Sequence, residues 1–241
     1  IVNPHAEITF TDPEGEIHHW PRVTERLPGK VESIKPHPHG IELGQLQRML
    51  TESTDSRLSV FLRTNFSGVS TRAAKELCAA AELEVKIKPK QMSPDQVRAL
   101  LEAFQGERMF NGKPVKLLNP PTNCLSPIEE MLIKKGLSKT IDSRYATTMT
   151  RAPNVSQGNP YQVEVGLIFG GDMASDKSVE VLRFANRVPL MYQQGGCLLT
   201  KAIESVDWRQ YGLEQAGGKG VPKGPAAILV HLASTNVQFT S

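Results

Sequence analysis

The stretch Arg183-Phe184-Ala185-Asn186-Arg187-Val188-Pro189-Leu190-Met191-Tyr192-Gln193-Gln194-Gly195-Gly196-Cys197-Leu198-Leu199-Thr200-Lys201-Ala202-Ile203 decides how the rest of the chain is placed. Leading into it, Val179, Val181 and Arg183 alternate with Glu180, Leu182 and Phe184, a period near two that predicts a strand. Pro189 and Gly195-Gly196 predict that the strand stops before a helix begins. Leu199, Ala202, Ile203 and Val206 recur at i, i+3, i+4 and i+7, the spacing of one buried helical face. Ala226 to Leu232 is a nearly continuous apolar run, suited to a strand covered on both faces. Strand, helix and strand make a βαβ unit, for which the general rule is a right-handed crossover.

Upstream lies the longest alternating run, Tyr161, Val163, Val165, Leu167 and Phe169, with Arg144 to Arg151 as a neighbouring strand. Ser126-Pro127-Ile128-Glu129 reads as a capping box at the head of a short helix, with Lys134 and Lys135 near its negative end and Gly136 as its stop. Asn119-Pro120-Pro121 punctuates the boundary, so residues 119–241 form one α/β domain.

Residues 41–118 read as helical. Leu43, Leu46 and Leu50 make one face, Leu58, Phe61, Leu62 and Phe66 a second, and Ala73, Leu77, Ala80 and Ala81 a third that Ser70 or Thr71 can cap. Ser93-Pro94-Asp95-Gln96 opens a fourth helix, since Ser can cap, Pro fits the first helical position and Gln can close the box. Residues 1–40 hold a β-hairpin, Ala6 to Phe10 returning through Asp12-Pro13-Glu14-Gly15 to Ile17-His18-His19-Trp20, and then a proline-punctuated extended exit. His5, His18, His19, His37 and His39 fall here, but none has a Cys or a helical His-x-x-x-His partner, so no metal site is assigned.

A chain of 241 residues with 39% hydrophobic residues can bury the cores of two modest domains. Its apolar runs fall short of the roughly 18 residues of a membrane span. The net charge of +3 does not by itself announce a nucleic acid, so any DNA contact must come from locally gathered cations. Cys78, Cys124 and Cys197 are few, odd in number and scattered, which fits a reducing cytoplasm and small apolar side chains. The chain starts at Ile1 without an initiator Met and runs to Ser241, and it reads as an internal fragment of a longer polypeptide.

No nucleophile elbow, phosphate loop, Cys-x-x-Cys pair or acidic metal cluster is visible, and no catalytic or cofactor-binding residue is assigned. Gly217-Gly218-Lys219-Gly220-Val221-Pro222-Lys223-Gly224 lies between helix and strand, the wrong order for a phosphate cradle, and reads as a mobile basic loop. Glu129 and Glu130 are explained by a helix's first turn. Two groups fit phosphate contact. Lys86, Lys88 and Lys90 alternate in Lys86-Ile87-Lys88-Pro89-Lys90, either a solvated connector or a phosphate-tracking strip that Arg63, Arg72 and Lys75 would extend. Trp208-Arg209-Gln210-Tyr211 combines two amphipathic aromatics with a cation, either a helix end packed on the core or a DNA contact.

The run from Arg183 to Trp208, with its paired glutamines and glycines, resembles the transducer domain of the topoisomerase VI B subunit family, the ATP-binding half of type IIB topoisomerases. "CLSPIEEMLIKKGL", "NPHAEITF", "DPEGE" and "KPHPHGIELG" are similar to that family too, so the likeness covers nearly the whole chain. It implies an α+β chain in three parts: residues 1–40 as the end of the ATPase domain, 41–118 as a helix-two-turn-helix domain, and 119–241 as a transducer with a left-handed βαβ crossover. It further implies ATP and Mg²⁺ bound elsewhere in the full-length protein and a cytoplasmic, DNA-associated A2B2 heterotetramer of two A and two B subunits acting on duplex DNA. The family's γ-phosphate lysine would follow Phe239-Thr240-Ser241, and its Trp-Lys-x-Tyr element falls on Trp208 to Tyr211 with Arg209 in the lysine position, which keeps the charge and changes the donor geometry. A stand-alone DNA-binding adaptor is the alternative, in which the Arg183–Ile203 stretch is only core.

Overall fold

The computed structural model describes residues 1–192 and 194–237. Gln193 of the opening stretch and residues 238–241, with the loop expected to follow them, lie outside the described residues. The chain separates into two compact units, one of residues 32–124 and 154–160, the other of residues 1–31, 125–153 and 161–241.

The first unit is built on four helices, α1 (Leu43–Glu52), α2 (Leu58–Asn65), α3 (Thr71–Ala80) and α4 (Pro94–Gln105). Their apolar faces meet in one core that contains Leu46, Phe61, Leu62, Leu77, Leu100 and Phe104. Local chemistry marks two of the helix starts. The Ser70 hydroxyl accepts from the Ala73 amide at 3.1 Å, and at α4 Ser93 and Gln96 close a capping box in both directions, at 3.3 and 2.9 Å. Gly106 then ends α4 in the left-handed conformation. The turn between α2 and α3 passes through Gly68, where a Cβ would sit 2.1 Å from the Leu118 carbonyl oxygen, so only glycine lets these backbones approach. His37 is buried beside it, donating Nε2–H to Leu118 O at 3.0 Å and accepting the His39 amide on Nδ1 at 3.2 Å. Both ring nitrogens are therefore occupied, and burial lowers the imidazole pKa.

The second unit begins with the hairpin β1 (Ile8–Thr11) and β2 (Ile17–Trp20), Ile8 opposite Trp20. Its main body is a mixed sheet. β3 (Tyr145–Thr150), β5 (Asn159–Phe169) and β8 (Ala226–Ser234) pair antiparallel, β6 (Glu180–Ala185) joins β8 in parallel, and β7 (Val188–Pro189) closes on β6. β4 (Asn154–Ser156) pairs with β5 off that path. Between β6 and β7 the chain turns on Asn186 and Arg187, both at positive φ, where the sequence pattern shows only a strand running to a proline break.

A helix covers each face of the sheet. α5 (Glu130–Thr140) places Ile133 and Leu137 in a core with Ile168 and Leu229, while α6 (Leu198–Glu204) places Ile203 in a second core with Ile228 and Val230. The alternation predicted for β5 holds, but the face that is most buried is the opposite one, Glu164, Gly166 and Ile168. At Gly166 a Cβ would meet Leu137 Cδ1 at 2.5 Å, so the missing side chain lets α5 lie flush on the strand. α6 is shorter than its pattern suggests: it ends at Glu204, Ala202 and Val206 are exposed, and Thr200 and Ile203 carry the buried face.

Two expectations for α5 are corrected. Ser126 does not cap it. The helix starts at Glu130 after Glu129, which sits at φ 81° and makes no side-chain cap. The two amides just before it go to the Glu164 carboxylate, Ile128 N at 2.7 Å and Glu129 N at 2.8 Å, so a strand side chain fixes the segment that leads into the helix. Nor does Gly136 stop the helix. It lies inside α5 where the backbone of Ile1 crosses, an added Cβ falling 3.0 Å from Ile1 O.

Glu164 and His231 are fully buried, and they meet at 2.8 Å through His231 Nδ1. The ring's Nε2 accepts the Arg187 backbone amide at 3.0 Å, so His231 is neutral with its proton on Nδ1. Thr150 gives the carboxylate a further donor at 2.8 Å. Burial pushes the Glu164 carboxyl up, but donors from His231, Ile128, Thr150 and Glu129 outweigh it and hold the value below the ordinary one. A depressed folded value stabilises fully above the unfolded value of about 4.3 and is lost as pH falls through the folded value. Glu164→Gln is therefore expected to cost about 3 kcal/mol near neutrality. Urea melts of parent and variant along a pH series should converge in acid, and a gap that stays constant with pH would sink this account. In the helical unit, Ser93→Ala should cost about 1 kcal/mol, read as a lower urea midpoint at unchanged slope.

Candidate nucleic-acid interface

The segment after α6 is a one-turn 3-10 helix, Trp208–Tyr211. Asp207 caps it by accepting the Arg209 amide at 3.2 Å, and Gly212 ends it at φ 78°. Trp208 faces inward: its indole N–H donates to Ile203 O at 2.8 Å and its ring packs on the α6-side core. Tyr211 stands edge-on to that ring, centroids 6.0 Å apart, and remains 68% exposed. The Trp208 anchor thus presents Arg209 and Tyr211 outward. Arg209 is already held, Nε and Nη2 each 2.8 Å from the two Asp207 oxygens. Its guanidinium also rests on Gly218, where a Cβ would lie 2.6 Å from Nη2. Arg209 is exposed and Asp207 half-buried, so this pair is a surface clasp that water and salt screen.

Gln215 organises the ground beneath. Its Oε1 accepts the Trp208 amide at 2.9 Å, and its Nε2 donates to Val206 O at 3.1 Å and to Gly220 O at 2.6 Å. The glycine-rich loop is therefore tied back to the segment that carries Arg209. Its amides at Gly218, Lys219, Gly220, Lys223 and Gly224 are all given to backbone carbonyls. A triphosphate needs such amides free, so this loop does not fit the phosphates of ATP. Lys219 and Lys223 stay on its exposed side.

In the helical unit, Lys86, Lys88 and Lys90 are exposed while Ile87 and Pro89 between them turn inward. The run is docked on the start of α2, Leu58 N donating to Ile87 O at 2.8 Å and Ser59 N to Val85 O at 3.3 Å. Arg63 occupies the last turn of α2, at the other end of that helix from the lysine run. Arg72 and Lys75 are exposed on α3, and Arg72 is paired with Glu76 at 2.7 Å. The alternation of lysines is thus brought together as one outward row, whereas Arg63 does not share its helix end.

Sequence reasoning passed over Glu164, His231, Arg183 and Gln215. The signal available was a polar residue inside an otherwise apolar strand or helix-to-strand connection, which demands a partner. Among the described residues, Asp12, Glu16 and His18 in the β1–β2 hairpin bring ligand-capable atoms within 4.8 Å. Asp12 there already accepts the amides of Glu14 and Glu16, as a turn-forming Asp does. No helix among the described residues is long and apolar enough to cross a membrane.

Residues 120–241 match the family described as "Topoisomerase VI B subunit, transducer". Over the whole chain, the B subunit of type 2 DNA topoisomerase 6 from Methanococcoides burtonii is 49% identical, that from Archaeoglobus fulgidus 45%, and that from Metallosphaera sedula 34%. The chain spans 37%, 38% and 43% of the length of these three relatives, respectively. A match across half the chain, together with these relatives, settles the family: the chain belongs to the topoisomerase VI B subunits, with residues 120–241 as the transducer.

Proposed function

We propose that this chain is the coupling portion of the B component of an ATP-dependent type IIB topoisomerase, relaying ATP-driven closure of two B subunits to DNA-cleaving A subunits while touching duplex DNA. The observation that carries this reading is the similarity, along the whole of this chain, to relatives named as B subunits of type 2 DNA topoisomerase 6. In it, residues 1–40 end the ATPase domain, 41–118 are a helix-two-turn-helix domain, and 119–241 are the transducer, with β6, α6 and β8 crossing over left-handed. The partners are two A subunits and a second copy of the B component in an A2B2 assembly, and the setting is cytoplasmic and DNA-associated. ATP and Mg²⁺ bind elsewhere in the full-length protein, where they supply the free energy of closure.

The transducer's internal ties support a relay. A body that moves as one must not deform as it moves, and the carboxylate of Glu164 joins β5 to the head of α5, to β3 and, through His231, to β8 and the β6–β7 turn. The DNA contacts we assign are Arg209, with Trp208 as its anchor and Tyr211 beside it, and the row Lys86, Lys88 and Lys90, with Arg63, Arg72 and Lys75 as separate exposed cations of the helical unit. Exposed cations on hydrogen-bonded backbone suit phosphates, which position a duplex without reading its sequence.

Duplex binding over a salt series tests these contacts. Arg209→Ala should lower the salt slope by about one and weaken binding equally on unrelated sequences. Changing Lys86, Lys88 and Lys90 together to Ala should lower it by up to about three. Binding with no salt dependence would remove both assignments and leave these segments as mechanical parts. Binding that is fully retained without ATPase or cleaving partner, and that supports every cellular role, would favour the adaptor.

A further inference from the structure

The guanidinium of Arg209 meets an anion that the chain itself supplies. Its Nε and Nη2 donate to Asp207 Oδ1 and Oδ2, both at 2.8 Å, the two parallel bonds of an arginine fork on a carboxylate. A phosphodiester offers the same fork two oxygens that share one negative charge. Asp207 has a second duty here, because Oδ1 also accepts the Arg209 backbone amide at 3.2 Å and caps the Trp208–Tyr211 turn. The hydrogen bond from Arg209 holds the Asp207 carboxyl below the ordinary aspartate value, and Asp207 in turn raises the guanidinium, so both are charged at neutral pH.

A second cation stands next to this pair. The backbone of Gly218 lies against the guanidinium, a Cβ there falling 2.6 Å from Nη2 and 3.0 Å from Cζ. Lys219 follows directly and is exposed, and none of the ion pairs among the described residues includes it. Gln215 fixes the spacing of the two cations. Its Oε1 takes the amide of Trp208, one residue before Arg209, and its Nε2 donates to the carbonyl of Gly220, one residue after Lys219.

We propose that Asp207 is a specificity-determining residue: it occupies Arg209 as a resident competitor, and an anion displaces it only when Lys219 holds that anion as well. The inference rests on the reading of Arg209 as a DNA contact and sets a condition on that contact. An intramolecular carboxylate competes at an effective concentration in the millimolar range or above. A free anion bonded by Arg209 alone does not overcome it. A duplex phosphate does, because its neighbours on the strand are held by Lys219 and other cations, which makes its own approach intramolecular too. The exchange costs little, since the pair it breaks lies at the surface, and Asp207 keeps its cap on the turn while Arg209 changes partner.

The test is a double-mutant cycle in duplex binding by the whole chain at low salt. Asp207→Asn keeps a capping oxygen and the side-chain shape while removing the charge. It should tighten binding up to about fivefold, the scale of an exposed ion pair. With Arg209→Ala in the background the same change should gain clearly less, since only general repulsion is relieved. Lys219→Ala should lower the salt slope by about one, and an unchanged slope would overturn the condition placed on Lys219. At matched ionic strength, replacing chloride by inorganic phosphate should inhibit the Asp207→Asn variant more than the parent, and equal inhibition would overturn the specificity role. Equal gains with and without Arg209, or no gain while Arg209→Ala still weakens binding, would remove the competitor and leave the DNA contact standing. An Arg209→Ala change without effect in either background removes the contact itself, and the competitor with it.

Discussion

A single carboxylate holds the transducer together. Glu164 sits at the middle of β5 with no solvent and takes four donors from three directions: two amides at the head of α5, a hydroxyl from β3 and an imidazole from β8. Each donor is a group that would otherwise be orphaned in the interior, so the cost of burying the charge is spread over all of them. The imidazole then extends the network to the Arg187 amide, which fixes the tight turn between β6 and β7, while the Arg187 side chain donates to Pro127 O at 2.8 Å and closes the circuit back to α5.

The outer layer follows different physics. Arg26 clasps Glu129 with two hydrogen bonds at 3.0 and 2.9 Å, and Arg209 clasps Asp207 in the same way, but both pairs lie at the surface and are easily exchanged for other anions. Under the proposed function, a rigid interior and an exchangeable surface would suit a part that carries motion without deforming while its outer cations meet a polyanion. The apolar anchor matters here as much as the charge. Trp208 pins the turn through Ile203 O, so the loop bearing Arg209 is oriented before any ligand arrives.

What could be read in the residues was what depends on near neighbours. The α4 capping box lies within four residues, and it was legible as Ser93-Pro94-Asp95-Gln96. The period-two runs of β5 and β6 and the apolar run of β8 were legible because a strand's pleat imposes its own spacing. The head of α5 was not, because the residues leading into it are held by a carboxylate 36 residues away, and Ser126 offered a local solution that the fold does not use. Which face of β5 is the more buried was not legible for a related reason: helices cover both sides, so a strand with one charged residue on its more buried face still alternates convincingly. At Trp208 to Tyr211 the residue types suggested contact with a polyanion, but which side chain anchors and which projects depends on Ile203, Gln215 and Gly218.

The distant anchor of the segment before α5 also bears on synthesis. The segment leading into α5 leaves the ribosome with its Ile128 amide unsatisfied, and the acceptor follows 36 residues later, while the imidazole that orients that acceptor follows 67 residues after it. At about 5–20 residues per second, the head of α5 waits roughly 5–20 s before its partners exist. During that interval Ile133 and Leu137 have no sheet to lie on. A nascent chain paused in this window exposes an amphipathic segment of the kind that holding chaperones bind, and codon choice between residues 140 and 231 sets how long the exposure lasts.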